Sequence, residues 1–187
     1  MDNNPLLLLI GSDERMMRIL ETVRDLDLPD CWIGAGFVRG KVWDTLHEYT
    51  KPTPIGDIDV IYYDMSDIRE SSEKLLDAKL RAVIPGEPWS AKNQARMHLL
   101  ANERAYTSTE HALSLWPETA TAVAVKVVKD GSIELLAPFG TEDLFGLTVR
   151  PTSHWMEKLD KYQERLKRKD WLSKWPKLTI LFNELPT

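Results

Sequence analysis

The apolar positions of this chain recur with two different periods, and the change from one to the other sketches the fold. Met16, Ile19, Leu20, Val23 and Leu26 stand at helical spacing, which predicts an amphipathic helix starting near Ser12 and stopping before Pro29. Cys31, Trp32, Ile33 and Gly34 form a short apolar run of the kind a buried strand makes. Val38, Val42, Leu46 and Tyr49 mark one face of a second helix, which ends ahead of a turn-rich segment, 50–56, holding Pro52 and Pro54. Residues 58–63 read as the next strand and 66–82 as a helix; Pro85-Gly86 breaks that helix before a third strand-like stretch from Trp89 to Gln94. Beyond this the period shortens to two. Val123, Val125 and Val127 alternate with smaller or polar residues, and Asp130-Gly131 supplies a tight turn into residues 133–136, so a hairpin is expected. Trp155, Leu159, Tyr162 and Leu166 share one face of a final helix. With no linker or repeat between the halves, the pattern predicts one α/β (α+β) domain over residues 1–187, a mixed β-sheet flanked by helices.

Length and charge narrow the function classes. A chain of 187 residues, 43% apolar, can bury one substantial core, and two full domains are not expected. The single cysteine, Cys31, cannot form an internal disulfide and fits a reducing, cytoplasmic setting. The apolar stretch from Leu6 to Ile10 follows Asp2 rather than basic residues and is too short to span a bilayer, so neither a signal peptide nor a membrane partner is expected. A net charge of −5 argues against a generic nucleic-acid coat. That charge is unevenly spread. From Arg150 to Lys177 nine Lys/Arg stand against four Asp/Glu, so a basic helical segment, about 150–177, carries +5 and the remainder −10. His47 and His111 have no Cys or His partner at metal-ligand spacing, and no zinc site is expected.

The sharpest local feature is Gly56-Asp57-Ile58-Asp59-Val60. Residues two apart in a strand share a face, so Asp57 and Asp59 project together while Ile58 and Val60 turn to the core. Two adjacent carboxylates repel, and a cation between them resolves the conflict; their hard oxygens suit Mg²⁺, or Mn²⁺, with bound phosphate oxygens. About twenty residues upstream, Gly34-Ala35-Gly36 joins a strand to a helix, where small residues let a phosphate approach the helix N-terminus. A plain tight turn accounts for the same glycines. Arg39 lies on the first turn of that helix, placed for phosphate or for pairing with Asp44. Lys92, Arg96 and His98 form a basic group suited to a triphosphate, to a nucleic-acid backbone or simply to solvent, and Asn93 beside them can hydrogen-bond ribose or base. Of the seven tryptophans, Trp89 is the one expected to stack on a base, while Trp171 and Trp175 are expected to pack the C-terminal segment onto the body.

Longer strings carry a resemblance. Gly36-Phe37-Val38-Arg39, Val42-Trp43-Asp44, the Asp57–Asp59 motif, the run from Trp89 through Ala91-Lys92-Asn93-Gln94 to His98, Trp116-Pro117-Glu118-Thr119-Ala120-Thr121-Ala122 and Ala137-Pro138-Phe139-Gly140 together resemble a bacterial nucleotidyltransferase-like family of the polymerase-beta type. The resemblance spans residues 34–151, with weaker support to Trp175-Pro176. It implies a nucleotidyltransferase fold in which Asp57 and Asp59 hold Mg²⁺ against an NTP, Gly34 and Gly36 receive phosphate, and a small molecule, RNA end or protein accepts the nucleotide as pyrophosphate leaves. Such enzymes carry a third carboxylate on a neighbouring strand. Lys92 and Asn93 occupy one position where it would stand, and Glu134 in the hairpin is the leading candidate. Alternation equally makes Glu134 an outward residue of an edge strand. Without a third acid, nucleotide binding without turnover is the alternative, and a further one is an interaction protein whose basic C-terminal helix engages RNA or acidic partners while the Asp pair serves only structure.

Overall fold

The computed structural model describes residues 4–182. Helix α1 (Pro5–Gly11) opens under the Asn4 side chain, which accepts from Leu6 N, and α2 (Glu14–Arg24) opens under Asp13, which accepts from Met16 N. These caps satisfy N–H groups that the helix itself leaves unpaired. Strand β1 (Trp32–Gly34), helix α3 (Gly36–Leu46), strand β2 (Ile58–Tyr62), helix α4 (Glu70–Val83) and strand β3 (Trp89–Asn93) follow. Next come α5 (Gln94–Ala101), α6 (Thr109–Ser114), a 3-10 turn at Thr119–Thr121, and the hairpin strands β4 (Ala124–Val127) and β5 (Ile133–Leu136). The chain ends in α7 (Glu142–Phe145), β6 (Thr148–Val149), α8 (Ser153–Met156), α9 (Leu159–Lys169), α10 (Trp171–Lys174) and β7 (Thr179–Ile180).

Five strands form one mixed sheet in the order β3-β2-β1-β4-β5, in which β2 and β3 run parallel and the other neighbours antiparallel. The short β6 and β7 pair separately. Register fixes the two faces. Ile33 stands opposite Val60 and Val125, and these turn into the main core with Ile58 and Trp89; that core runs from Leu6 to Leu178 and is closed by α1 to α4. On the other face Gly34 stands opposite Asp59 and Ala124. There a smaller cluster, Trp32, Ile61, Leu113, Ala122 and Ala124, packs under α6. Asp59 therefore projects from the more thinly covered face of a sheet whose other face is sealed.

Differences from the expected elements have local causes. The helix expected over 66–82 begins only at Glu70, because Asp64 and Asp67 hold the backbone N–H groups of Ser66 and Arg69 in side-chain turns. The final helix divides, with Trp155 in α8 and Leu159 opening α9. The basic segment is fastened by aromatic rings. Trp43, fully buried on α3, takes edge contacts from Trp171 at 5.6 Å and Trp175 at 5.1 Å, while Trp175 Nε1 donates to Asp44 Oδ1 at 2.7 Å. Among the described residues no helix is long and apolar enough to cross a membrane.

Candidate functional site

Where β1 turns into α3, Ala35 adopts φ 51° and ψ −118°, a backbone that costs an L-residue strain. Its N–H donates to Val123 O at 3.1 Å, which holds the bend. The bend aims the N-terminus of α3, which has no side-chain cap, into a cavity of about 200 Å³ between β2 and α9. Unpaired N–H groups and the helix dipole make such an end attractive to anions. Gly36 lines this cavity, and a Cβ added there would meet nothing nearer than Arg39 Nη2 at 3.7 Å. Gly34 is buried and does not reach it: a Cβ there would press on Val123 O at 3.2 Å and on the Trp116 ring at 3.3 Å. Its missing side chain instead lets the Trp116 indole lie against β1.

Asp57 and Asp59 enter the cavity from the start of β2. Burial, and then the neighbouring Asp57 charge, push the Asp59 carboxyl up to about 6, against the pull of Arg39, Lys169 and Lys92. The opposite wall is cationic: Arg39, Arg165 and Lys169 all line it. Arg39 stacks its guanidinium on Trp171 at 4.8 Å, and its buried Nε has no partner among the described residues. Burial brings Arg39 down to about 10, with Arg165 adding to the fall while Glu118, Asp59 and Asp57 oppose it. Lys169 is lowered by burial and by Arg165 and Arg39. Arg165 is held in place by the buried Glu118, its Nε donating to Oε1 at 2.6 Å and its Nη2 to Oε2 at 3.1 Å; Thr121 Oγ1 donates to the same carboxylate at 2.8 Å. Two acids, three crowded cations and an open helix end thus meet in one small volume, an arrangement able to hold an oligophosphate.

The structure brings Asp57, Asp59, Gly36 and Arg39 together and leaves other expected residues apart. Asn93 spends its side chain inside the protein: Oδ1 accepts from the N–H groups of Asp64 and Ala95, both at 3.0 Å, and Nδ2 donates to Asp64 O and Asp67 O. It caps α5. Arg96 lies two-pronged on the buried Glu73, at 3.2 and 2.7 Å. Lys92 stands on the Asp59 face of the sheet, with Nζ 3.7 Å from Glu73. Glu134 lies on β5, three strands from β2, and pairs with Lys126 at 2.9 Å; it is not brought to the carboxylate pair. Trp89 faces the main core, its Nε1 donating to Ile84 O, and offers no stacking surface. Arg165, Thr121 and Trp116 complete the site without having been expected there, although Trp116 and Thr121 stand in one of the strings that carry the resemblance. The +5 charge of residues 150–177 was the available signal for Arg165.

The family model described as nucleotidyltransferase matches residues 21–180. No curated protein matches the chain. Among solved structures, a protein whose NMR structure reveals a CCA-adding enzyme head domain is 36% identical, with a TM-score of 0.84 over 95% of each chain. A CCA-adding enzyme in complex with CTP is 15% identical, with a TM-score of 0.59 over 94% of this chain and 42% of its own. The Thermotoga maritima CCA-adding enzyme complexed with tRNA, also 15% identical, has a TM-score of 0.58 over 95% of this chain and 42% of its own. The chain therefore spans well under half the length of these two enzymes, which share its fold.

Proposed function

The chain belongs to the nucleotidyltransferase family, and we propose that it transfers a nucleoside monophosphate from an NTP to an acceptor hydroxyl with the help of Mg²⁺. The observation that carries this reading is the single cavity in which Asp57 and Asp59 face Arg39, Arg165, Lys169 and the uncapped start of α3. Among the described residues no group of three or more His, Cys, Asp and Glu stands ready to enclose a metal. Two carboxylates alone suit an ion that completes its shell with water and substrate phosphate, as Mg²⁺ does, and a cation between them would offset the burial and the Asp57 charge that raise the Asp59 carboxyl. When bound, Mg²⁺ supplies charge neutralisation at the phosphate oxygens. The α3 N–H groups and Gly36 seat the phosphate tail, and Arg39, Arg165 and Lys169 offset the charge that grows on departing pyrophosphate. Stacked on Trp171 and locked on Glu118, two of these cations are oriented before substrate arrives.

A second reading, nucleotide binding without turnover, draws on the absence of a third carboxylate from the cavity lining among the described residues. Isothermal titration with Mg²⁺ and each NTP, followed by an assay for pyrophosphate release, separates the two. Transfer predicts micromolar-range binding and release, both lost in Asp57→Asn/Asp59→Asn. Binding without release selects the second reading, and no binding of any NTP sinks both.

A further inference from the structure

Asp59 and Trp116 line two clefts. The first is the cationic cavity just described; the second, about 380 Å³, adjoins it at these two residues and is lined further by Lys92, Gln94, Met97, Leu100 and Tyr106. Trp116, seated on Gly34, is the wall between them. Displacement at phosphorus places the attacking and leaving oxygens roughly in line. With the leaving pyrophosphate seated among the three cations and the helix N-terminus of the first cleft, the attacking oxygen needs a separate approach to the α-phosphorus, and the second cleft, which meets the first at Asp59 and Trp116, offers one. We propose that this second cleft is the acceptor site and that the acceptor it takes is a small, ring-bearing alcohol of nucleoside size. The inference rests on the nucleotidyl-transfer reading above. In the step, the acceptor oxygen bonds to the α-phosphorus and the bond to the α–β bridging oxygen breaks. Pyrophosphate departs with that electron pair, and the acceptor's proton passes to water.

The chemistry of the lining selects the acceptor class. A nucleic-acid strand is held by clustered Lys and Arg that neutralise successive phosphates. Among the described residues Lys92 is the one basic side chain lining this cleft, and it already stands 3.7 Å from Glu73 with Asp59 nearby. The grouped cations Arg165 and Lys169 face the other cleft. What the second cleft offers instead is apolar area on Met97 and Leu100 and an indole wall, surfaces that a flat ring covers well. Leu100 is 70% exposed, an apolar side chain that a bound ring would shield from water. Its volume accommodates a ring and a sugar.

The test is methyl NMR on the full chain with Mg²⁺, reading Ala35 and Thr121 in the first cleft against Met97 and Leu100 in the second. Tripolyphosphate and then α,β-methylene-ATP should shift Ala35 and Thr121 and leave Met97 and Leu100 in place. Adenosine added to the α,β-methylene-ATP complex should then shift Met97 and Leu100 saturably. Leu100→Asp, at an exposed position, should weaken the adenosine response at least tenfold while changing the affinity for the ATP analogue less than twofold. Shifts of Met97 and Leu100 with the ATP analogue alone would assign the cleft to the donor base and overturn the proposal. So would silence toward adenosine, or a single-stranded RNA hexamer that moves the same methyls at tenfold lower concentration. If neither tripolyphosphate nor the analogue moves Ala35 and Thr121, the nucleotidyl-transfer reading itself fails and takes the acceptor site with it.

Discussion

Asp59 is held between a buried setting that resists its charge and a chemistry that needs it. An unfolded aspartate gives up its proton near 3.8, whereas Asp59 in the fold keeps it up to about 6. The native state therefore binds more protons between these values, so the stability from this group is full below about pH 4 and is lost as pH rises through about 6. Asp59→Asn, which removes the titration, should make the metal-free protein more stable than wild type at pH 8, by on the order of 2 kcal/mol, with the gain fading toward pH 4. Urea denaturation at the two pH values measures it, and an equal gain at both would show that burial of charge is not the cause. Asp57→Asn should lower the Asp59 value without restoring 3.8, because burial is the larger cause and the Asp57 charge the second; carboxyl-carbon NMR titration reads this directly. Divalent-cation affinity should in turn fall about tenfold per pH unit below 6, as proton and metal compete for one oxygen pair.

At the scale of elements, what was legible in the sequence was whatever a local period encodes. The β1–turn–α3 unit and the two-residue spacing of Asp57 and Asp59 could be read because strand, glycine turn and helix are contiguous. Alternation alone also places Trp89 and Lys92, three apart in β3, on opposite faces, which is why Trp89 is core while Lys92 borders Asp59. Period two gives a face but not a position across the sheet. Glu134 shares the Asp59 face, yet the pairing of β1 with β4 sets β5 at the far edge, and no local pattern announces that. Nor is the Glu118–Arg165 pair, 47 positions apart, written in any window. Because Glu118 is wholly buried and doubly bonded to Arg165, removing either partner leaves an uncompensated charge. Glu118→Gln and Arg165→Met should each cost about 3–5 kcal/mol of folding stability. The double variant should lose clearly less than their sum; additive losses in a denaturation cycle would mean that the two side chains do not stabilise each other.

Across the whole molecule, a +5 C-terminal segment is folded back on a −10 body, and aromatic rings fasten it together with ion pairs from Arg150, Lys158 and Arg165 to Asp143, Glu103 and Glu118. Trp43 receives Trp171 and Trp175 edge-on, but only Trp171 also carries the Arg39 guanidinium on its face, at 4.8 Å. That asymmetry separates holding the segment from shaping the site. Trp171→Leu and Trp175→Leu remove buried rings of similar size and should both lower the melting temperature, by a loss on the order of 2 kcal/mol each. Their effects on anion binding should differ. Without the Trp171 face Arg39 loses the nearer of its two ring platforms, keeping Trp43 at 5.6 Å, in a region already crowded with Arg165 and Lys169, so tripolyphosphate affinity should drop about tenfold, equivalent to about 1.4 kcal/mol. Trp175→Leu leaves that platform in place and should keep the affinity within about threefold. Calorimetric titration of the two variants at a temperature where both are folded decides the matter. Equal losses would mean that the aromatic clamp acts on the site only through stability. A loss confined to Trp171→Leu would tie the cationic wall to the ring beneath it, and with it the coupling of the C-terminal segment to the site.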